Sequence, residues 1–133
     1  MRKSVIAVLL GAAVLLPVAS VVAKYRLSAP DAARAAGLQV FEAHCAACHS
    51  RTGVAKGYAP YLVGVVGRRA GTAPGFAYSP ALKNSGIVWT EDNLMKWIEN
   101  APALVPGTPM PHVSISDPPE RYYIVAYLKS VRR

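Results

Sequence analysis

The sequence has no internal repeat and no low-complexity tract, and its 133 residues suffice for one domain but not comfortably for two. Acidic residues are few, seven Asp/Glu against fifteen Lys/Arg. Thirteen of those bases and all seven acids follow Ala23, so that part carries a net charge of +6. The bases are dispersed, which argues against nucleic acid as a partner and suits an acidic protein patch or an anionic membrane surface. Histidine and methionine are scarce, three of each, and there are only two cysteines. From Arg51 to Ser85 no sustained hydrophobic period exists; the stretch is rich in Gly, Pro and Tyr and reads as loops draped over something other than a conventional core.

A long hydrophobic run is present at the start. Met1-Arg2-Lys3 precedes twenty uncharged residues, Ser4 to Ala23, a charged start and apolar stretch typical of export. Val18-Ala19-Ser20 and Val21-Val22-Ala23 resemble small-x-small cleavage sites, with Pro17 just before them. As a helix the run would be roughly 30 Å long, which also matches a bilayer core. Residues 1–23 are therefore either a cleaved signal peptide or a retained anchor in the inner membrane. In both cases the remainder lies in the periplasm, with 24–30 as a linker and 31–133 as the folded domain.

Helical pattern is local. Asp31 is a candidate N-cap for a helix over Ala32 to His44, with Ala33, Ala36, Val40 and Phe41 on one face. Gly37 inside that pattern costs about 1 kcal/mol against Ala, and close approach of another helix would explain it. Thr90 caps a second helix, with Glu91 and Asp92 in its first turn and Leu94, Trp97 and Ile98 on its apolar face. Pro102 to Pro119 reads as a second loop. Asp117-Pro118-Pro119-Glu120 starts a third helix, along which Ile124, Tyr127, Leu128 and Val131 follow at helical spacing. Three short helices and long loops make a thin core for such a domain, so an internal staple is expected.

The two cysteines stand in Cys45-Ala46-Ala47-Cys48-His49. In an exported chain two cysteines would suggest a disulfide, but C-x-x-C-H is the attachment motif of c-type haem. Two thiols on one turn can reach the two vinyl groups of one porphyrin, and His49 then falls beneath the iron as its proximal ligand. A thioredoxin-like pair wants a βαβ context, which is absent. A zinc site wants four ligands; Cys45, Cys48 and His49 supply three, with His44 and His112 as the spare histidines. Of the methionines, Met95 falls within a helix as a core residue. Met110 sits in the stiff polar loop Pro106-Gly107-Thr108-Pro109-Met110-Pro111 and is the better sixth ligand. Two axial ligands leave no open site for substrate, which favours electron transfer over catalysis.

From Gly37 onward the sequence resembles the mitochondrial and bacterial periplasmic class I cytochromes c. The matching stretches are Phe41 to His49, Gly67 to Gly71, Ala73 to Tyr78, Gly86 to Trp89, Pro106 to Met110 and Ala126 to Lys129. The resemblance implies an all-α class I cytochrome c fold, three main helices and long loops wrapped around one covalent haem c. It implies that Pro60 offers its carbonyl to the His49 ring N–H. Arg68, Tyr78, Ser79 and Trp89 would hydrogen-bond or shield the propionates, although Tyr78 and Trp89 could be plain core aromatics and Arg68 a solvated charge. Thr108 and Met110 would belong to the distal loop, and Gly37 and Phe41 would pack against Ile124 and Tyr127. The implied function is single-electron transfer, not enzymatic turnover, with a quinol-oxidising cytochrome complex as donor and a terminal oxidase or photosynthetic reaction centre as acceptor. A cytochrome subunit of a periplasmic dehydrogenase is an alternative, and a ligand-binding or peroxidatic haem protein a further one.

Four departures from the family pattern stand out. Trp97 occupies the place of a tyrosine whose hydroxyl usually reaches the methionine sulfur, and Leu82 that of an asparagine supporting a buried water. Together they suggest a drier distal pocket stripped of polar atoms. His112 replaces a phenylalanine at the haem edge, where it is either an exposed loop histidine or a group that makes the potential pH-dependent. The lysine ring around that edge is mostly missing: Gln39, His44, Pro102, Pro109, Ser116 and Asp117 occupy its places, and only Lys56 lies near one.

Overall fold

A computed structural model describes residues 28–54, 58–110 and 113–132. The N-terminal segment, with its signal or anchor reading, lies outside the described residues, as do Lys56, Pro111 and His112. Among the described residues no helix is long and apolar enough to cross a membrane.

Five helices follow one another: α1 Ala29–His44, α2 Pro80–Asn84, α3 Glu91–Glu99, α4 Ala101–Leu104 and α5 Pro118–Ser130. The three expected helices are α1, α3 and α5. Helix α1 starts earlier than its pattern suggested. Ser28, not Asp31, is the N-cap; its Oγ accepts from the Asp31 N–H at 3.3 Å and donates to the Asp31 carboxylate at 2.6 Å. Pro30 falls in the first turn, where no N–H partner is needed. Thr90 and Asp117 cap α3 and α5 as their spacing implied, accepting from the Asn93 and Glu120 N–H groups.

Helices α2 and α4 arise in stretches that read as loop. Each is a single turn set by one cap: the Ser79 hydroxyl accepts from Leu82 N–H, and the Asn100 side chain from Ala103 N–H, each with proline in the first turn.

Helices α1 and α5 cross at Gly37. A Cβ built there would lie 1.8 Å from the Tyr123 carbonyl oxygen and 2.8 Å from the Tyr127 Cβ. Only glycine permits this approach. It lets Phe41 and Ile124, each 1% exposed, meet in the core, with the Phe41 and Tyr127 rings 5.1 Å apart. Helix α3 packs on α5 and α4, and brings Leu94, Trp97 and Ile98 into the same core.

The long connections are pinned individually. Arg69 and Val88 form an isolated antiparallel bridge, flanked by Ala70 N–H to the Ile87 carbonyl at 2.8 Å and Trp89 N–H to the Arg68 carbonyl at 2.9 Å. The segment before α5 is held by Ile115 N–H on the Ile98 carbonyl at 3.1 Å and by the buried Arg121, which donates to the Ile115 and Ser116 carbonyls at 2.6 and 2.8 Å.

Candidate haem site

The helices and loops surround one apolar cavity of about 360 Å³ that opens to solvent. Cys45, Cys48, His49 and Met110 line it, as do Pro60, Arg68, Tyr78, Ser79, Trp89, Trp97 and Thr108.

The attachment motif is a turn running straight out of α1. Cys45 is the C-cap residue, its N–H on the Phe41 carbonyl, and the Cys48 and His49 N–H groups both return to the Cys45 carbonyl, at 3.1 and 2.8 Å. This coil turns both thiols and the imidazole toward the cavity. Cys45 is buried and Cys48 exposed. Burial, then the neighbouring Cys48, pushes the Cys45 thiol up to about 11. Such a thiol is protonated at neutral pH and is itself a weak nucleophile. As an uncharged thioether it would suffer no such penalty. Among the described residues no group of three His, Cys, Asp or Glu is placed to hold a metal ion.

His49 is buried, and its Nδ1–H donates to the Pro60 carbonyl at 2.7 Å. A carbonyl can only accept, so the contact selects the tautomer whose lone pair is on Nε2.

On another wall, Val105-Pro106-Gly107-Thr108 makes a tight turn closed by Thr108 N–H on the Val105 carbonyl at 3.2 Å. Gly107 has φ +82°, as the position after proline in a type II turn demands. The turn aims Thr108 and Met110 at the cavity. Trp97 does not deplete this wall of polar atoms as its replacement of tyrosine suggested: its indole Nε1–H donates to the Met110 Sδ at 3.1 Å. A ring N–H substitutes for the hydroxyl. Trp97 is held edge-on by Trp89, ring centroids 5.0 Å apart. Leu82, buried, keeps its own part of the lining apolar.

Two polar features call for a partner that the described residues do not supply. The Thr108 Oγ1 is buried with no hydrogen-bond partner among the described residues, a costly state for a hydroxyl. Arg68 is not a solvated charge. It is half-buried, donates to the Val63 and Tyr61 carbonyls at 3.1 and 3.2 Å, and lies 5.2 Å from the Tyr61 ring. Burial lowers its affinity for the proton, offset in part by Tyr78, and no carboxylate among the described residues pairs with it. An anionic group at the cavity edge would satisfy both. Ser79 is already the α2 cap, but an oxygen that accepts can still donate its own proton.

Some of the lining was not visible in the sequence. Tyr58 is 70% exposed, yet its hydroxyl donates to the Ala47 carbonyl at 2.7 Å beside the attachment turn. Leu62 and Val65 reach the cavity from a loop without periodicity.

An all-α shell closed around a cavity, with two cysteines and a histidine on one turn at its wall, defines a covalent haem protein. The family model for cytochrome c matches residues 34–132, and the chain belongs to the cytochrome c family. It is 42% identical over 105 residues to cytochrome c2 of Rhodopila globiformis, covering 79% of this chain and 99% of that one. Cytochrome c of Euglena viridis is 42% identical over 96 residues, 72% and 94% of the two chains. Among solved structures, cytochrome cH from Methylobacterium extorquens superposes with a TM-score of 0.68 at 44% identity, over 73% of this chain and 97% of that one. The protein is therefore an electron carrier with one covalent haem c, not an enzyme.

Proposed function

We propose that the haem is held by thioethers at Cys45 and Cys48, with His49 Nε2 and Met110 Sδ as axial ligands, and that the protein shuttles single electrons between redox complexes outside the cytoplasm. The observation that carries the ligand set is that Met110 lines the same cavity as the attachment turn. Met95, partly buried against the core, is absent from that lining. The haem supplies a one-electron iron couple. The protein's part is to exclude water, hold both ligands and compensate charge. Pro60 orients the imidazole, and a thioether ligand favours reduced iron and raises the potential. Arg68, Tyr78, Ser79 and Trp89 would surround the haem propionates, and Thr108 would find its missing acceptor on one of them.

A quinol-oxidising complex as donor and a terminal oxidase or photosynthetic reaction centre as acceptor fit this role. Residues 1–23 deliver the chain to the periplasm, as a cleaved signal or a retained anchor. Intact mass of the purified protein tests attachment and cleavage together, with one haem added and residues 1–23 present or gone. A weak near-infrared sulfur-to-iron charge-transfer band, present in the parent and lost in Met110→Ala, tests the sixth ligand. Its absence from the parent would defeat the ligand assignment. Co-purification in fixed ratio with a dehydrogenase would convert the shuttle into a subunit.

A further inference from the structure

We infer that Tyr61 is a positioning residue for the Arg68 charge, its ring face and its own carbonyl together holding the guanidinium at the cavity wall. The inference rests on the reading that Arg68 borders the haem propionates. Its observation is that the Arg68 Cζ lies over the Tyr61 ring, 5.2 Å from the centroid, while a guanidinium nitrogen donates to the Tyr61 carbonyl at 3.2 Å.

Tyr61 does not line the cavity. It is 3% exposed and stands between Pro60, whose carbonyl accepts from His49, and Leu62, which reaches the cavity. The Arg68 backbone is pinned on both sides: its N–H donates to the Val65 carbonyl at 3.0 Å, and its carbonyl accepts from Trp89 N–H at 2.9 Å. From there the side chain folds back to Tyr61, donating also to the Val63 carbonyl at 3.1 Å. Two carbonyls use two of the five guanidinium donors and leave the others for an anion. They fix where the nitrogens point but do not cover the flat face of the cation; the ring does. The negative face of an aromatic ring attracts a cation within about 6 Å, more strongly as water is removed, and a planar guanidinium stacks there as an ammonium does not. For the half-buried Arg68 this favours the held position by about two- to thirtyfold. A cation held there offsets propionate charge, which otherwise favours oxidised iron; released into water it is screened. The ring thus acts on the redox equilibrium through Arg68.

The experiment uses the holoprotein with Tyr61→Phe and with phenylalanines carrying one, two or three ring fluorines at the same site. Fluorine drains electron density from the ring face and nearly keeps its shape. The readouts are the midpoint potential and, by NMR, the exchange rate of the Arg68 guanidinium protons. Tyr61→Phe is expected to stay near the parent. Each added fluorine should speed exchange and lower the potential, the third reaching about threefold toward the oxidised form, or about 28 mV for one electron. In an Arg68→Leu background the potential should not respond to fluorine, because no cation is left to hold. A series flat in both readouts with Arg68 present overturns the inference. So does a slope in potential that survives Arg68→Leu, which would trace the effect to the ring alone. If exchange follows fluorine while Arg68→Leu leaves the potential unchanged, the hold of the ring on the cation is supported and only the reading of the propionates is defeated.

Discussion

The Arg121 guanidinium, 7% exposed, reaches out of the last helix and donates to the Ile115 carbonyl at 2.6 Å. With its second bond to Ser116 and its pairing with Glu99 at 3.5 Å, it clamps the segment that follows the Met110 loop onto the end of α3.

Arg121→Leu should therefore lower stability by about 2–4 kcal/mol, because two buried charge-assisted bonds disappear and two carbonyls are left without partners. The half-exposed Glu99 contributes little of this. Denaturant titration followed by both helical signal and the near-infrared band checks it. In the variant the band should fade before the helices melt; coincident transitions would mean that the clamp does not act on the ligand loop.

Gly37→Ala is expected to be more damaging than its size suggests. The added carbon falls on backbone, the Tyr123 carbonyl, which cannot rotate away. The helices must separate, costing about 1–3 kcal/mol or more, and equilibrium unfolding of the holoprotein should show the drop. An unchanged midpoint would mean that the crossing is looser than the geometry indicates.

Tyr78 gives a pH signature. Burial raises its phenol above 10.0, with Arg68 and the Ala73 backbone partly opposing. Because the folded value exceeds the unfolded one, the folded state holds its proton longer. The associated stability is fully present below pH 10.0 and is lost as pH rises through the folded value. Unfolding free energies of the parent should fall more steeply above that pH than those of Tyr78→Phe. Parallel curves would count against the shift.

Partner exchange should depend little on salt. The residues that line the cavity include His44, Tyr58 and Pro109, all exposed, and Val113, with no lysine among the lining residues. Electron-transfer rates to the physiological acceptor should change by less than about tenfold between low and moderate ionic strength. A collapse of the rate over that range would restore charge as the docking force.

What could be read in advance was what depends on neighbours in sequence. The Cys45 to His49 spacing, the Thr90 and Asp117 caps, and the misplaced Gly37 each carry their meaning within a few residues. Helices of one turn have no period to detect, so the caps Ser79 and Asn100 leave no mark in the hydrophobic pattern. Asp31 resembles a cap because it follows proline, whereas proline is equally at home inside the first turn. The Trp97 donor bond joins residues thirteen apart, and no local pattern encodes which way an indole turns. Arg121 shows the same blindness: its acceptors are backbone carbonyls, which every residue has.

The crossing at Gly37 also bears on the order in which the chain can assemble. Its two helices lie near opposite ends of the domain, and closing so long a loop is entropically uphill until both exist. The attachment turn, by contrast, is complete as soon as α1 has been made. A cofactor bound only by packing would have to await the last helix. One bonded to Cys45 and Cys48 can be loaded on an open chain and remain in place while the fold assembles around it.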